Sequence, residues 1–167
     1  PFRSRGGDGG QGDNYLAFLI ETVKPLIDST YRTRPDRAST GIMGSSMGGL
    51  ISLYAAFRHP ETFGLIGAMS PSLWFANTAI FPYVRRAPLS EARIYLDVGT
   101  REGGRSPVDR LLLHASSRSY FGNVFRMNEL LVAKGYRPGQ TLHYVEEPLA
   151  AHNEAAWARR LPDALRF

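Results

Sequence analysis

The chain has 167 residues, 43% of them hydrophobic and 21% charged, which suits one soluble globular domain with a sizeable core. It contains no cysteine, which excludes disulfides, thiolate metal sites and a cysteine nucleophile. The net charge of +5 is carried almost wholly by arginines scattered along the chain, not gathered with aromatics into a patch, so nucleic acid is not an expected partner. No apolar run has the length of a membrane span and no signal peptide is visible at the start, which leaves the compartment open with a lean to the cytoplasm.

Residues 1–12, PFRSRGGDGGQG, are too polar and glycine-rich to pack and read as a loop or arm. Asp13 is positioned to cap a helix that runs to about Thr30, with Leu16, Leu19, Ile20, Val23, Leu26 and Ile27 at helical spacing. Pro25 should kink that helix or mark an irregularity. A polar connection leads to a short strand over 39–43, then to GSSMGG and a helix that stops near His59-Pro60. TFGLIGAMS reads as the next buried strand, followed by an aromatic-rich excursion, PSLWFANTAIFPYVRRAP, holding a short helix. EARIYLDVG is a third strand and TREGGRSP a loop. A long helix from about Arg118 to Lys134 closes at Gly135, TLHYVEE is a fourth strand, PLAAHN a loop and EAAWARRLPDALRF the last helix. There is no internal repeat and no linker, so residues 13–167 form a single domain.

Strands alternating with helices at these distances imply an α/β fold, a mostly parallel sheet covered on both faces. Ligands of such sheets bind beyond the carboxyl ends of the strands. Three residues of matched chemistry fall there. Ser46 follows the first strand, Glu102 the third and His152 the fourth, in the order serine, acid, histidine. A serine hydroxyl is a poor nucleophile until a base takes its proton; imidazole suits that task, and a carboxylate holds the imidazole's tautomer and steadies its cation. Gly44 and Gly48 let strand and helix approach around Ser46, and the N–H of Met47, at the start of the following helix, is a natural oxyanion donor.

At these residues the sequence resembles a known family. GIMGSSMGGLISLYAAFRHPETFG, MSPSLWF, IYLDVGTREGG and AAHNEAAWARRLPDALRF are together similar to one branch of the α/β-hydrolases. That branch holds enterochelin-esterase-like, feruloyl-esterase-like and S-formylglutathione-hydrolase-like enzymes and the antigen 85 mycolyltransferases. The resemblance runs from about Gly12 to the end. It implies an α/β-hydrolase fold with Ser46 as nucleophile, Glu102 as acid and His152 as base. Members of the family usually carry several strands before the helix that starts here near Asp13, and those strands bring a second oxyanion N–H. The expectation is therefore the C-terminal portion of the family fold, with that donor outside it.

Other residues compete for roles. Asp97, at its strand end, is the rival acid, and Asp109 follows the loop at a greater distance. Asn153 is a better helix cap than His152. Trp74 and Phe75 either line a substrate pocket or cover core. His59, His114 and His143 read as structural, and Ser45 as a turn filler. Gly7, Gly9 and Gly12 spell GxGxxG without the preceding strand that a dinucleotide site needs. No cluster has metal-ligand spacing, so neither metal nor organic cofactor is expected. The chemistry expected is carboxylic-ester hydrolysis of a small molecule through an acyl-enzyme. The alternatives are acyl transfer on the same fold, or a weakly catalytic binding module lacking the second oxyanion donor.

Overall fold

The computed structural model describes residues 9–102 and 107–167, with the backbone alone over 107–119. Most of the N-terminal arm, Gly7 of GxGxxG, the centre of the TREGGRSP loop and the side chains of Asp109 and His114 lie outside the described residues. Four strands, β1 (Gly41–Ser45), β2 (Leu65–Met69), β3 (Arg93–Gly99) and β4 (Leu142–Glu147), form one sheet in the order β1-β2-β3-β4. All three pairings are parallel, with Ser45, Met69, Asp97 and Val145 abreast. Every strand therefore ends at the same edge.

Alternation along the strands sorts the side chains between two faces. Ile66, Ala68, Ile94, Leu96 and Val98 face the main core, packed under α3 (Met47–Arg58), α5 (Ile80–Arg86) and α6 (Pro107–Lys134). Leu50, Leu53, Tyr54 and Phe57 line the buried side of α3, each such side chain stabilising by about 1.5–3 kcal/mol through burial. Met69, Tyr95 and Asp97 face the other way, toward α7 (Glu154–Arg166). The expected helix–sheet–helix layering is present.

The N-terminal helix is α1 (Gly12–Phe18) and α2 (Lys24–Thr30), joined by a π-helical turn over Leu19–Val23. Pro25 opens α2, and the missing proline N–H explains the widened turn just before it. Asp13 is not the cap: Gln11 holds that position, while Asp13 accepts from Tyr54 Oη at 2.9 Å and Arg58 Nε at 3.2 Å, pinning α1 to α3. β1 begins two residues later than expected, because Asp36 accepts from Ser39 N–H and holds 37–39 in a 3₁₀ turn. The aromatic excursion holds the expected short helix, α5, after α4 (Phe75–Thr78), a single turn in which Ala76, Asn77 and Thr78 are left-handed at φ 48°, 56° and 60°, and α6 starts at Pro107, well before Arg118. Gly135 ends α6 at φ 113°, where the Tyr136 N–H reaches Leu131 O.

Gly44 leaves no room for a side chain where β1 meets the first turn of α3. A Cβ there would lie 2.7 Å from the Gly48 carbonyl carbon and 2.8 Å from Gly48 Cα. Gly48 itself has open space, and Gly49 would push a Cβ to 2.9 Å from Met69 O. Gly44→Ala is expected to destabilise the fold by about 1–3 kcal/mol through overpacking, read as a lower thermal midpoint, with Gly48→Ala milder.

Candidate active site

Ser46 sits between β1 and α3 with φ 57° and ψ −117°, a conformation that costs a non-glycine residue about 1–3 kcal/mol. Backbone bonds hold it there. Its N–H donates to Met69 O (2.9 Å), and its carbonyl accepts from Leu50 N–H (3.1 Å) and Ser72 N–H (3.0 Å). The turn lifts Oγ off the strand edge. Met47, the first residue of α3, offers a backbone N–H that has no acceptor within its own helix.

The expected partners converge on Ser46. Ser46 Oγ lies 2.9 Å from His152 Nε2, and Glu102 Oε2 lies 3.0 Å from His152 Nδ1. His152 is partly exposed while Glu102 is wholly buried. Their loops are stitched together: Thr100 N–H donates to Glu147 O, Arg101 N–H to Ala150 O and Leu149 N–H to Thr100 Oγ1. Gly99 is required at this crossing, since a Cβ would strike the Ala150 backbone. Asn153 caps α7 through Ala156 N–H, as expected, leaving His152 free of that duty.

Asp97 does not approach His152. It accepts from Ser70 N–H (2.8 Å) and Arg160 Nε (2.8 Å) on the face under α7. Burial raises its carboxyl above the ordinary range, outweighing the guanidinium and the N–H. Arg160 is 4% exposed and ties three carboxylates: Asp97, Glu147 through Nη1 at 2.6 Å, and Glu102 Oε1 at 3.6 Å from Nη2. Although burial opposes it, the bonds to Arg159 and Arg160 hold Glu147 below its usual value.

Ser70, at φ 41°, is the hub of this network. Its hydroxyl donates to Glu102 Oε1 and accepts from Arg160 Nη2 (2.8 Å) and Trp157 Nε1 (3.1 Å). Glu102 Oε1 also takes the Gly99 N–H at 2.6 Å, so its other oxygen is the one left for His152. The imidazole is walled by Trp157 edge-on and by a tilted Tyr120, at 4.9 and 4.8 Å between ring centroids. Ser70, Ser72, Tyr120, Trp157 and Arg160 escaped the sequence reading. One signal existed for Arg160: it falls in the stripe Ala156, Arg160, Ala164 that α7 buries.

The remaining expectations separate. Phe75 packs on the core and, with Met47, Leu50, Ile51, Tyr54 and Tyr15, lines an apolar cleft of about 270 Å³. Trp74 is half exposed beside it. His59 pairs with Glu61, and His143 stacks between Tyr95 and Phe167. Among the described residues, no group of His, Asp or Glu has an arrangement that would hold a metal ion, and no helix is long and apolar enough to cross a membrane.

The sequence matches, over residues 1–167, the family model described as Esterase, "Putative esterase". The chain belongs to this esterase family. Relatives within reach include the uncharacterized protein YbbA of Bacillus subtilis, 28% identical over 95% of this chain and 60% of that protein. A siderophore enterobactin esterase of Emericella nidulans is 33% identical over 61% of this chain and 31% of that protein. Among solved structures, siderophore hydrolase EstA from Aspergillus nidulans superposes with a TM-score of 0.75 at 24% identity, covering 98% of this chain and 58% of that one. The fold is thus of the α/β-hydrolase type, and this chain spans less than two thirds of each of these relatives.

Two outcomes follow from the Arg160 cluster. Arg160→Met leaves Asp97 and Glu102 buried without their cation and is expected to cost about 3–5 kcal/mol, measured by urea unfolding. Glu147, lowered in the fold, contributes stability that is full above its unfolded value of 4.5 and lost as pH falls through its folded value. Glu147→Gln should therefore flatten the acid side of the stability profile below about pH 5, read from urea midpoints across that range.

Proposed function

We propose that the protein hydrolyses carboxylic esters through an acyl-enzyme on Ser46. The observation that carries this reading is the 2.9 Å approach of Ser46 Oγ to His152 Nε2 at a strained strand-to-helix turn. His152 Nε2 takes the hydroxyl proton as Oγ attacks the ester carbonyl, and the carbonyl oxygen becomes an oxyanion facing the Met47 N–H. The imidazolium forms against Glu102, whose carboxylate accepts from Nδ1 and keeps the ring oriented. His152 then gives its proton to the departing alcohol. A water enters, loses a proton to His152 and attacks the acyl group; His152 returns that proton to Ser46 Oγ as the acid is released.

The substrate class proposed is a small ester of the siderophore kind. Relatives named for enterobactin and siderophore esters support it, as does a cationic chain suited to phenolic or anionic groups. The apolar cleft beside Met47 is the seat proposed for the hydrophobic part of such a ligand.

Ser46→Ala is expected to lower kcat for p-nitrophenyl acetate by about 10⁴-fold or more, with the protein still folded by circular dichroism. Glu102→Gln, which keeps the shape but loses the charge behind His152, should fall in the same direction. Wild-type turnover in Ser46→Ala would sink the assignment. The substrate class is tested separately by comparing kcat/KM on enterobactin and on p-nitrophenyl acetate: a preference for enterobactin is expected, and indifference removes the siderophore reading alone.

A further inference from the structure

Ser46 Oγ has a second close partner besides His152. Ser72 Oγ lies 3.1 Å from it, and Tyr120 Oη lies 3.0 Å from Ser72 Oγ and 2.8 Å from the Ser70 carbonyl. Ser72 is 1% exposed, so little water competes for its hydroxyl, and its own N–H is bonded to the Ser46 carbonyl. The two serines are thereby fixed to each other at backbone and side chain.

Counting protons shows what this chain can do. Each of the three hydroxyls carries one proton, while the Ser70 carbonyl only accepts. With the phenol proton on Ser70 O, the Ser72 proton has two acceptors to choose between, Tyr120 Oη and Ser46 Oγ, while Ser46 donates to His152. When the phenol proton turns to Ser72 Oγ, the Ser72 proton turns to Ser46 Oγ and the chain runs one way, ending at His152 Nε2. In that arrangement the serine oxygen gains a donor while keeping its own bond to the base. A donor there matters most when the oxygen carries negative charge, during attack and again when it leaves the acyl group.

We propose that Ser72 is a further catalytic residue, touching the reacting oxygen, and that Tyr120 is a positioning residue that sets the direction of the Ser72 proton. This rests on the reading of Ser46 as nucleophile. Burial pushes the Tyr120 phenol up to about 12, so it keeps its proton throughout the neutral range. The Tyr120 ring also packs against His152, so Tyr120→Phe removes the hydroxyl and leaves that contact in place.

The test is steady-state hydrolysis of p-nitrophenyl acetate by Ser72→Ala, Tyr120→Phe and the double variant, beside Ser46→Ala. Ser72→Ala is expected to lower kcat by about 10-fold and Tyr120→Phe by about 3-fold, with KM within twofold. The double variant should be no slower than Ser72→Ala, because both act through one hydrogen bond. Wild-type kcat in Tyr120→Phe overturns the chain, even where Ser72→Ala fails to fold. Losses that fall on KM, or that multiply in the double variant, overturn it as well. An inactive Ser46→Ala beside a full-rate Ser72→Ala removes this inference alone. An active Ser46→Ala removes the nucleophile reading and this with it.

Discussion

A serine held at φ 57° and ψ −117° relaxes to an ordinary conformation unless its surroundings forbid it, and here three backbone bonds and a missing side chain forbid it. Met69 O takes the Ser46 N–H, the Ser46 carbonyl takes two N–H groups, and Gly44 lets the first turn of α3 close down on β1. The strain is thus met by sheet pairing and helix packing rather than by local flexibility. Its result is that the hydroxyl stands clear of the strand edge while the start of α3 points its unpaired N–H groups to the same place.

The second constraint is charge. Glu102 is fully buried, and a carboxylate out of water needs donors for its oxygens within the protein. Gly99 N–H, the Ser70 hydroxyl and the nearby Arg160 all face one of its oxygens. That saturation leaves a single oxygen directed at His152 Nδ1. Ser70 does this through the geometry of its own position: its N–H belongs to Asp97, its carbonyl to Tyr120, and its hydroxyl to Glu102, Trp157 and Arg160. One small residue at the end of β2 thereby links the face under α7 to the loops that carry Glu102 and His152.

The parts visible in the sequence are those with short-range signals. Four strands show as apolar runs, and their ends place Ser46, Glu102 and His152 on one edge once the sheet is parallel. Asn153 and Gly135 are legible from capping chemistry alone. What escaped depends on pairings distant in the chain. Ser70 meets Arg160 across 90 residues and Tyr120 meets Ser70 across 50, and neither meeting leaves a local trace. Asp97 and Glu102 were rivals in sequence because both sit near the end of β3; strand alternation separates them, turning Asp97 under α7 while the loop carries Glu102 back to His152. Asp13 misled for a related reason: its carboxylate serves α3, a contact that capping rules do not foresee.

The central claim is that Ser46 is a nucleophile activated by His152. Reaction of the folded protein with a fluorophosphonate, followed by peptide mass spectrometry, tests it without any choice of substrate. The account predicts one adduct per chain, on the peptide holding Ser46, and its loss in His152→Ala. Folded protein that stays unlabelled, or a label that persists in Ser46→Ala, contradicts it.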